Sequence, residues 1–162
     1  KVHDFIMAIF KLVKNDYDTD EALENVLSYI LDAEKSNGYV GGQNLIIDNA
    51  IDNIYRVRRF FCDKTQKRLY HFIISLEEYE VIAPDELYLL CYSICNYFVE
   101  FQLVFFFFLN TENVHVHFAL MPLSLTNEKK AGFDHATLYG FLEYIRNLLA
   151  KYNIKVKLCP DT

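Results

Sequence analysis

A chain of 162 residues has the length of one domain, and its 52% hydrophobic content excludes a mainly disordered protein. The net charge of −6 argues against binding polyanions over the whole surface, yet residues 56–68 set Arg56, Arg58, Arg59, Lys64, Lys67 and Arg68 against Asp63 alone, a local +5 that leaves −11 elsewhere and can still hold phosphates. Cys62, Cys91, Cys95 and Cys159 show no zinc-finger or Cys-x-x-Cys spacing, which fits a reduced, cytoplasmic compartment, and the seven-residue apolar run Leu103–Leu109 is far shorter than the roughly 20 residues of a membrane span.

The chain opens on Lys1, and a natural start is expected at Met7, with residues 1–6 left over from expression. Met7–Val13 is a short apolar run and predicts a first strand. Asp18 followed by Glu21 has the form of a helix cap with its reciprocal partner, and Leu23, Val26, Leu27, Ile30 and Leu31 recur at helical spacing, predicting a helix over 19–32. Gly38, Gly41 and Gly42 make 33–47 read as a long loop. Ala50, Ile54, Val57 and Phe61 mark a second helix, and Leu69–Leu76 a second strand.

Pro84 suits the first turn of a third helix, whose apolar stripe is Leu87, Leu90, Cys91, Ile94 and Phe98. Gln102–Leu109 and Val114–Leu120 read as two strands joined by a hairpin at Asn110–Asn113. Asn127–Gly132 is a polar, basic loop. A last helix carries Leu138, Phe141, Leu142, Ile145, Leu148, Leu149 and Tyr152 on one face, and Ile154–Leu158 is a final strand. The order β-α-α-β-α-β-β-α-β predicts an α+β fold, a two-layer sandwich with a mainly antiparallel central sheet and helices packed on it, as a single domain over 1–162.

His115 and His117 stand two apart on a strand, so both imidazoles leave one face and can serve one metal ion. Taken alone, such a pair is more often a pair of ordinary surface or hydrogen-bonded histidines. Tyr29 follows Ala22 and Val26 at helical spacing, on the rim of its helix stripe, where a lone tyrosine is more often a packing residue. His71 and Ser75 share one face of their strand.

These pieces in this order resemble the mobilisation relaxases of Gram-positive plasmids and integrative elements, within the HUH endonuclease group. The first motif of that family has a Tyr before a polar turn, here Ser28-Tyr29-Ile30-Leu31-Asp32-Ala33-Glu34-Lys35, and then a Gly-containing loop with Asn, here Gly41-Gly42-Gln43-Asn44. The second is a strand of the form His71-Phe72-Ile73-Ile74-Ser75, and the third ends in His115-Val116-His117-Phe118. A basic loop with Lys129 and Lys130 and an amphipathic helix follow, so the resemblance spans about residues 7–158.

The resemblance implies that Tyr29 is a nucleophile that nicks one DNA strand at an origin of transfer, forming a 5′-phosphotyrosine link. It implies a divalent ion, Mg²⁺ or Mn²⁺, on His115 and His117. A tyrosine hydroxyl, with an ordinary pKa of about 10, needs such help at neutral pH. It further implies contacts to single-stranded DNA from Ser75, Arg56, Arg58, Arg59, Lys129 and Lys130, and accessory relaxosome proteins as partners. One departure stands out. Where the family has a His seven residues before the pair and an acidic residue two further on, this chain has Phe108 and Asn110. The third ligand would then come from Glu112, Asn110 or His71. The alternative is a catalytically weakened relative that binds single-stranded DNA without efficient turnover.

Overall fold

The computed structural model describes residues 5–77, 82–109, 112–127, 129–160 and 162. Six strands form one sheet: β1 (Ile6–Leu12), β2 (Tyr39–Gln43), β3 (Tyr70–Leu76), β4 (Phe101–Phe107), β5 (Val114–Ser124) and β6 (Ile154–Leu158). Their spatial order is β2-β4-β5-β3-β1-β6, and every pairing is antiparallel except β1 with β6. The helices are α1 (Asp20–Lys35), α2 (Ala50–Phe60), α3 (Pro84–Cys95) and α4 (His135–Ala150). None is long and apolar enough to cross a membrane.

Alternation along the strands decides which residues meet which helices. On one face, Phe10, Phe72, Phe105 and Phe118 pack under α3 and α4, which contribute Leu87, Cys91, Cys95, Phe141 and Ile145. Phe72 stacks on Phe118 with centroids 4.8 Å apart, and Phe141 meets Phe72 edge-on at 5.2 Å. Fully burying each such ring contributes about 1.5–3 kcal/mol. On the opposite face, Leu23, Leu27, Ile30 and Ile54 of α1 and α2 pack on Val104, Phe106, Ala119 and Met121.

The expected α+β fold with its mainly antiparallel sheet is therefore present, but with helices on both faces it has three layers where two were expected, because both faces of the sheet carry apolar side chains that need cover. The cover on the second face is partial. α1 and α2 lie over the β4–β5 side, while Ile9, Lys11, Ile73, Ser75 and His115 border an open groove of about 460 Å³.

Three local expectations are corrected. Thr19, in extended backbone, caps α1 by accepting from the Ala22 amide at 3.0 Å; Asp18 lies one residue too early for that position. The helix runs on to Lys35, one turn beyond the expected end. The expected loop over 33–47 contains β2, an edge strand paired with β4, so the element order gains a strand between the first two helices. Gly41 hides this strand in the sequence because its glycine answers to close packing: a Cβ there would stand 2.3 Å from the Phe105 ring. The hairpin joining β4 to β5 is present as a ladder with Phe106 opposite His117, but Asn110 lies outside the described residues.

Candidate functional site

The uncovered part of the sheet carries the polar side chains that alternation forces away from the aromatic core. In β3 and β5, Ser75 lies opposite His115 and Ile73 opposite His117. His71 is therefore diagonal to His117, a separation long side chains can bridge. His71 Nε2 and His117 Nδ1 lie 3.0 Å apart, and the rings are tilted by 32°. His115 turns instead to Ser75, with Nδ1 2.7 Å from Oγ.

The structure thus brings His117 together with His71, one of the three candidates for a third ligand, and holds His115 in a separate hydrogen bond. Glu112, a second candidate, is exposed in the turn before β5.

Packing fixes these rings. His117 stacks on Phe106, centroids 4.7 Å apart and 7° from parallel. His71 Nδ1 is 2.9 Å from the Tyr17 hydroxyl. Burial lowers the basicity of both imidazoles. For His117, the neighbouring His71 and His115 add to burial and bring the pKa down to about 4. Both rings are consequently neutral at neutral pH, the form that offers a lone pair to a metal.

Tyr29 stands on α1 with 60% of its surface exposed and meets Phe106 edge-on at 5.3 Å. Together with Val26, Ile30, His71, Phe106 and His117 it lines a cavity of about 170 Å³. No hydrogen-bond partner for its hydroxyl stands among the described residues.

A metal–nitrogen distance of about 2.0–2.1 Å sets two adjacent ligand nitrogens roughly 3 Å apart. The His71–His117 separation of 3.0 Å fits that requirement for two ligands. Among the described residues, no three His, Cys, Asp or Glu side chains converge on one point. Phe108 is half-buried and packs edge-on against Phe106, centroids 6.1 Å apart.

The basic window divides into two groups. Arg58 bonds the buried Asp63 carboxylate at 2.9 Å and donates to the Thr65 carbonyl; Lys130 reaches the same carboxylate at 3.1 Å. Arg68 pairs with Asp20 at 2.8 Å. Arg56, Arg59 and Lys64 are exposed, as is Lys129. Arg59 and Lys64 border a cavity of about 640 Å³ beside α2. Sequence reasoning missed Tyr17, which lies in an irregular segment between β1 and α1 and carries no periodic signal.

Comparison with known families places the chain among nuclease domains. The matching model is "Relaxase: MobA/VirD2-like, nuclease domain", over residues 29–154, a span that includes Tyr29, His71, His115 and His117. The chain belongs to this family. Among curated proteins none matches. One solved structure, described as "Molecular Basis of Vancomycin Resistance Transfer in Staphylococcus aureus", is similar at 15% identity and a TM-score of 0.47, covering 77% of this chain and 75% of that one.

Proposed function

We propose that this relaxase domain nicks one strand of DNA at an origin of transfer, with Tyr29 as the nucleophile, and so serves mobilisation of a plasmid or integrative element in the bacterial cytoplasm with accessory proteins. The observation that carries this reading is the shared cavity: Tyr29 from α1, His71 from β3 and His117 from β5 line the same small space.

In the proposed step the Tyr29 oxygen bonds to the scissile phosphorus as the bond from phosphorus to the 3′ oxygen breaks. Tyr29 gives up its proton and the departing 3′ oxygen takes one up, so the exchange conserves both charge and the ester. The product is a 5′-phosphotyrosine link and a free 3′-hydroxyl. His71 and His117 would hold a divalent ion, Mg²⁺ or Mn²⁺, which when bound supplies charge to polarise the phosphate. His115, with Ser75, borders the groove where the strand would lie, and the exposed Arg56, Arg59, Lys64 and Lys129 are suited to its phosphates. Phe106 holds the His117 ring by stacking and the Tyr29 ring by an edge contact, so one core residue orients both groups.

A second reading, a relative that grips single-stranded DNA without efficient turnover, is favoured by one observation: three metal-binding side chains do not converge among the described residues. A suicide oligonucleotide with Mg²⁺ or Mn²⁺ separates the two. A covalent adduct mapped to Tyr29 supports the first reading. Tight binding of the oligonucleotide with no adduct at any metal concentration supports the second.

A further inference from the structure

The geometry points to Tyr17 as the residue that sets the ring orientation and tautomer of His71, and through it the His71–His117 pair; this rests on the proposed role of that pair. The Tyr17 hydroxyl lies 2.9 Å from His71 Nδ1, and the two rings meet edge-on at 5.9 Å. His71 thus has both nitrogens engaged, Nδ1 with Tyr17 and Nε2 with His117.

The segment that delivers Tyr17 is tied down at three points. The Val13 amide donates to the His71 carbonyl at 2.8 Å, Lys67 Nζ to the Asn15 carbonyl at 3.0 Å, and the Arg68 amide to the Tyr17 carbonyl at 2.7 Å. Tyr17 itself has φ 44°, in the left-handed region that non-glycine residues rarely occupy. A bulky aromatic held there by its surroundings is the kind of outlier that marks a functional constraint.

The choice of tyrosine follows from what the pair must do. Without a metal, one of the two facing nitrogens carries the proton of their hydrogen bond. With a metal on both, His71 Nε2 must present its lone pair, which places the His71 proton on Nδ1. A partner that accepts a hydrogen bond from Nδ1 therefore favours this tautomer before any metal arrives. The Tyr17 hydroxyl can accept that proton, which keeps His71 Nε2 free to bind. A phenylalanine offers no acceptor, and a lysine ammonium offers only donors. Outer partners of this kind typically change metal affinity by about 10–100-fold.

The test uses the whole chain and the Tyr17→Phe variant, which keeps the ring and removes the oxygen. Nitrogen-15 spectra of metal-free protein should show a single His71 tautomer in the wild type and exchange between two in the variant. Calorimetric titration with Mn²⁺ alone should show binding weakened about 10–100-fold in the variant, with circular dichroism unchanged. Equal Mn²⁺ affinity with an unchanged His71 tautomer overturns the role of Tyr17 and leaves the metal site standing. A wild type that binds no Mn²⁺ instead defeats the metal reading, and the spectra then decide Tyr17 by themselves. Should Tyr17→Phe fail to fold, two exchanging His71 tautomers in the wild type overturn the assignment, and one fixed tautomer supports it.

Discussion

His71 Nε2 and His117 Nδ1 face each other at 3.0 Å across two neighbouring strands, while His115 Nδ1 is engaged by Ser75. His71 and His117 also line the cavity that Tyr29 borders, whereas His115 lines the neighbouring groove, and this ranks the histidines. Replacing His71 or His117 with Ala should weaken Mn²⁺ binding by at least the roughly 10–100-fold that outer-shell changes cause, and His115→Ala should weaken it less. Titration calorimetry on the three variants gives the order directly. If His115→Ala is the most damaging, the His71–His117 pair is not the metal site.

Tyr29→Phe removes one oxygen from a side chain that is 60% exposed, so stability should change by no more than about 0.5 kcal/mol. Binding of a single-stranded oligonucleotide should persist, and the covalent adduct should vanish. Adduct in the variant, seen as a mass shift on a different tyrosine, would move the nucleophile elsewhere.

The pattern of β5 was readable because Val114, Val116 and Phe118 alternate with His115 and His117, and one strand suffices to show which side chains share a face. The partnership of His117 with His71 was not, because it depends on the register between β3 and β5, which no single segment carries. β2 was hidden by Gly41 and Gly42, whose composition reads as a turn, while close packing on the Phe105 ring at Gly41 and on Leu45 and Ile47 at Gly42 calls for glycine within a strand. Tyr17 was invisible for a different reason: its position is set by tertiary ties from Lys67 and Arg68 across the fold. The charge count over 56–68 was correct as a sum but not as a surface, since Arg58 and Arg68 are engaged with Asp63 and Asp20.

That division predicts different outcomes for neighbouring arginines. Neutralising Arg56, Arg59 or Lys64 should weaken single-stranded DNA binding and reduce the salt slope by about 0.7 for each phosphate that is no longer neutralised. Arg58→Ala should instead leave the Asp63 carboxylate with Lys130 and Thr65 but one partner short, and cost about 1–3 kcal/mol in stability. Filter binding over a salt series and thermal melts separate the effects. An Arg58→Ala protein of unchanged stability would mean that Lys130 and Thr65 alone satisfy Asp63.

Asp63 also gives the fold an acid limit. Burial pushes its carboxyl up, but hydrogen bonds from Thr65 and Lys130 and the charge of Arg58 outweigh this and hold it below the ordinary carboxylate value. With the folded pKa below the unfolded one, the contribution is complete above about pH 4–5 and is lost as pH falls through the folded value. Asp63→Asn should be less stable than the wild type at pH 7, with the gap closing as pH falls through the folded value. Melting curves that stay parallel over that range would remove Asp63 from the account.

Phe108 is the position at which the resemblance and the packing make opposite demands. Phe108 follows β4 and packs against Phe106, the residue opposite His117. An imidazole at 108 could therefore approach the histidine face from the end of β4. The ring also packs against the core cluster under α1 and α2 and lies by the connection between α1 and β2, where a Cβ on Gly38 would meet it at 3.0 Å, so its removal has a cost. Phe108→His should lower stability by roughly 1–3 kcal/mol, through lost aromatic burial and a polar ring placed in a half-buried site. It should also tighten Mn²⁺ binding and raise adduct formation, because the pair of His71 and His117 lacks a third convergent ligand among the described residues. Calorimetry and the suicide-oligonucleotide assay measure both on one preparation, with a Phe108→Leu control for the loss of the aromatic ring alone. A folded Phe108→His protein whose Mn²⁺ affinity equals that of Phe108→Leu would establish position 108 as packing only.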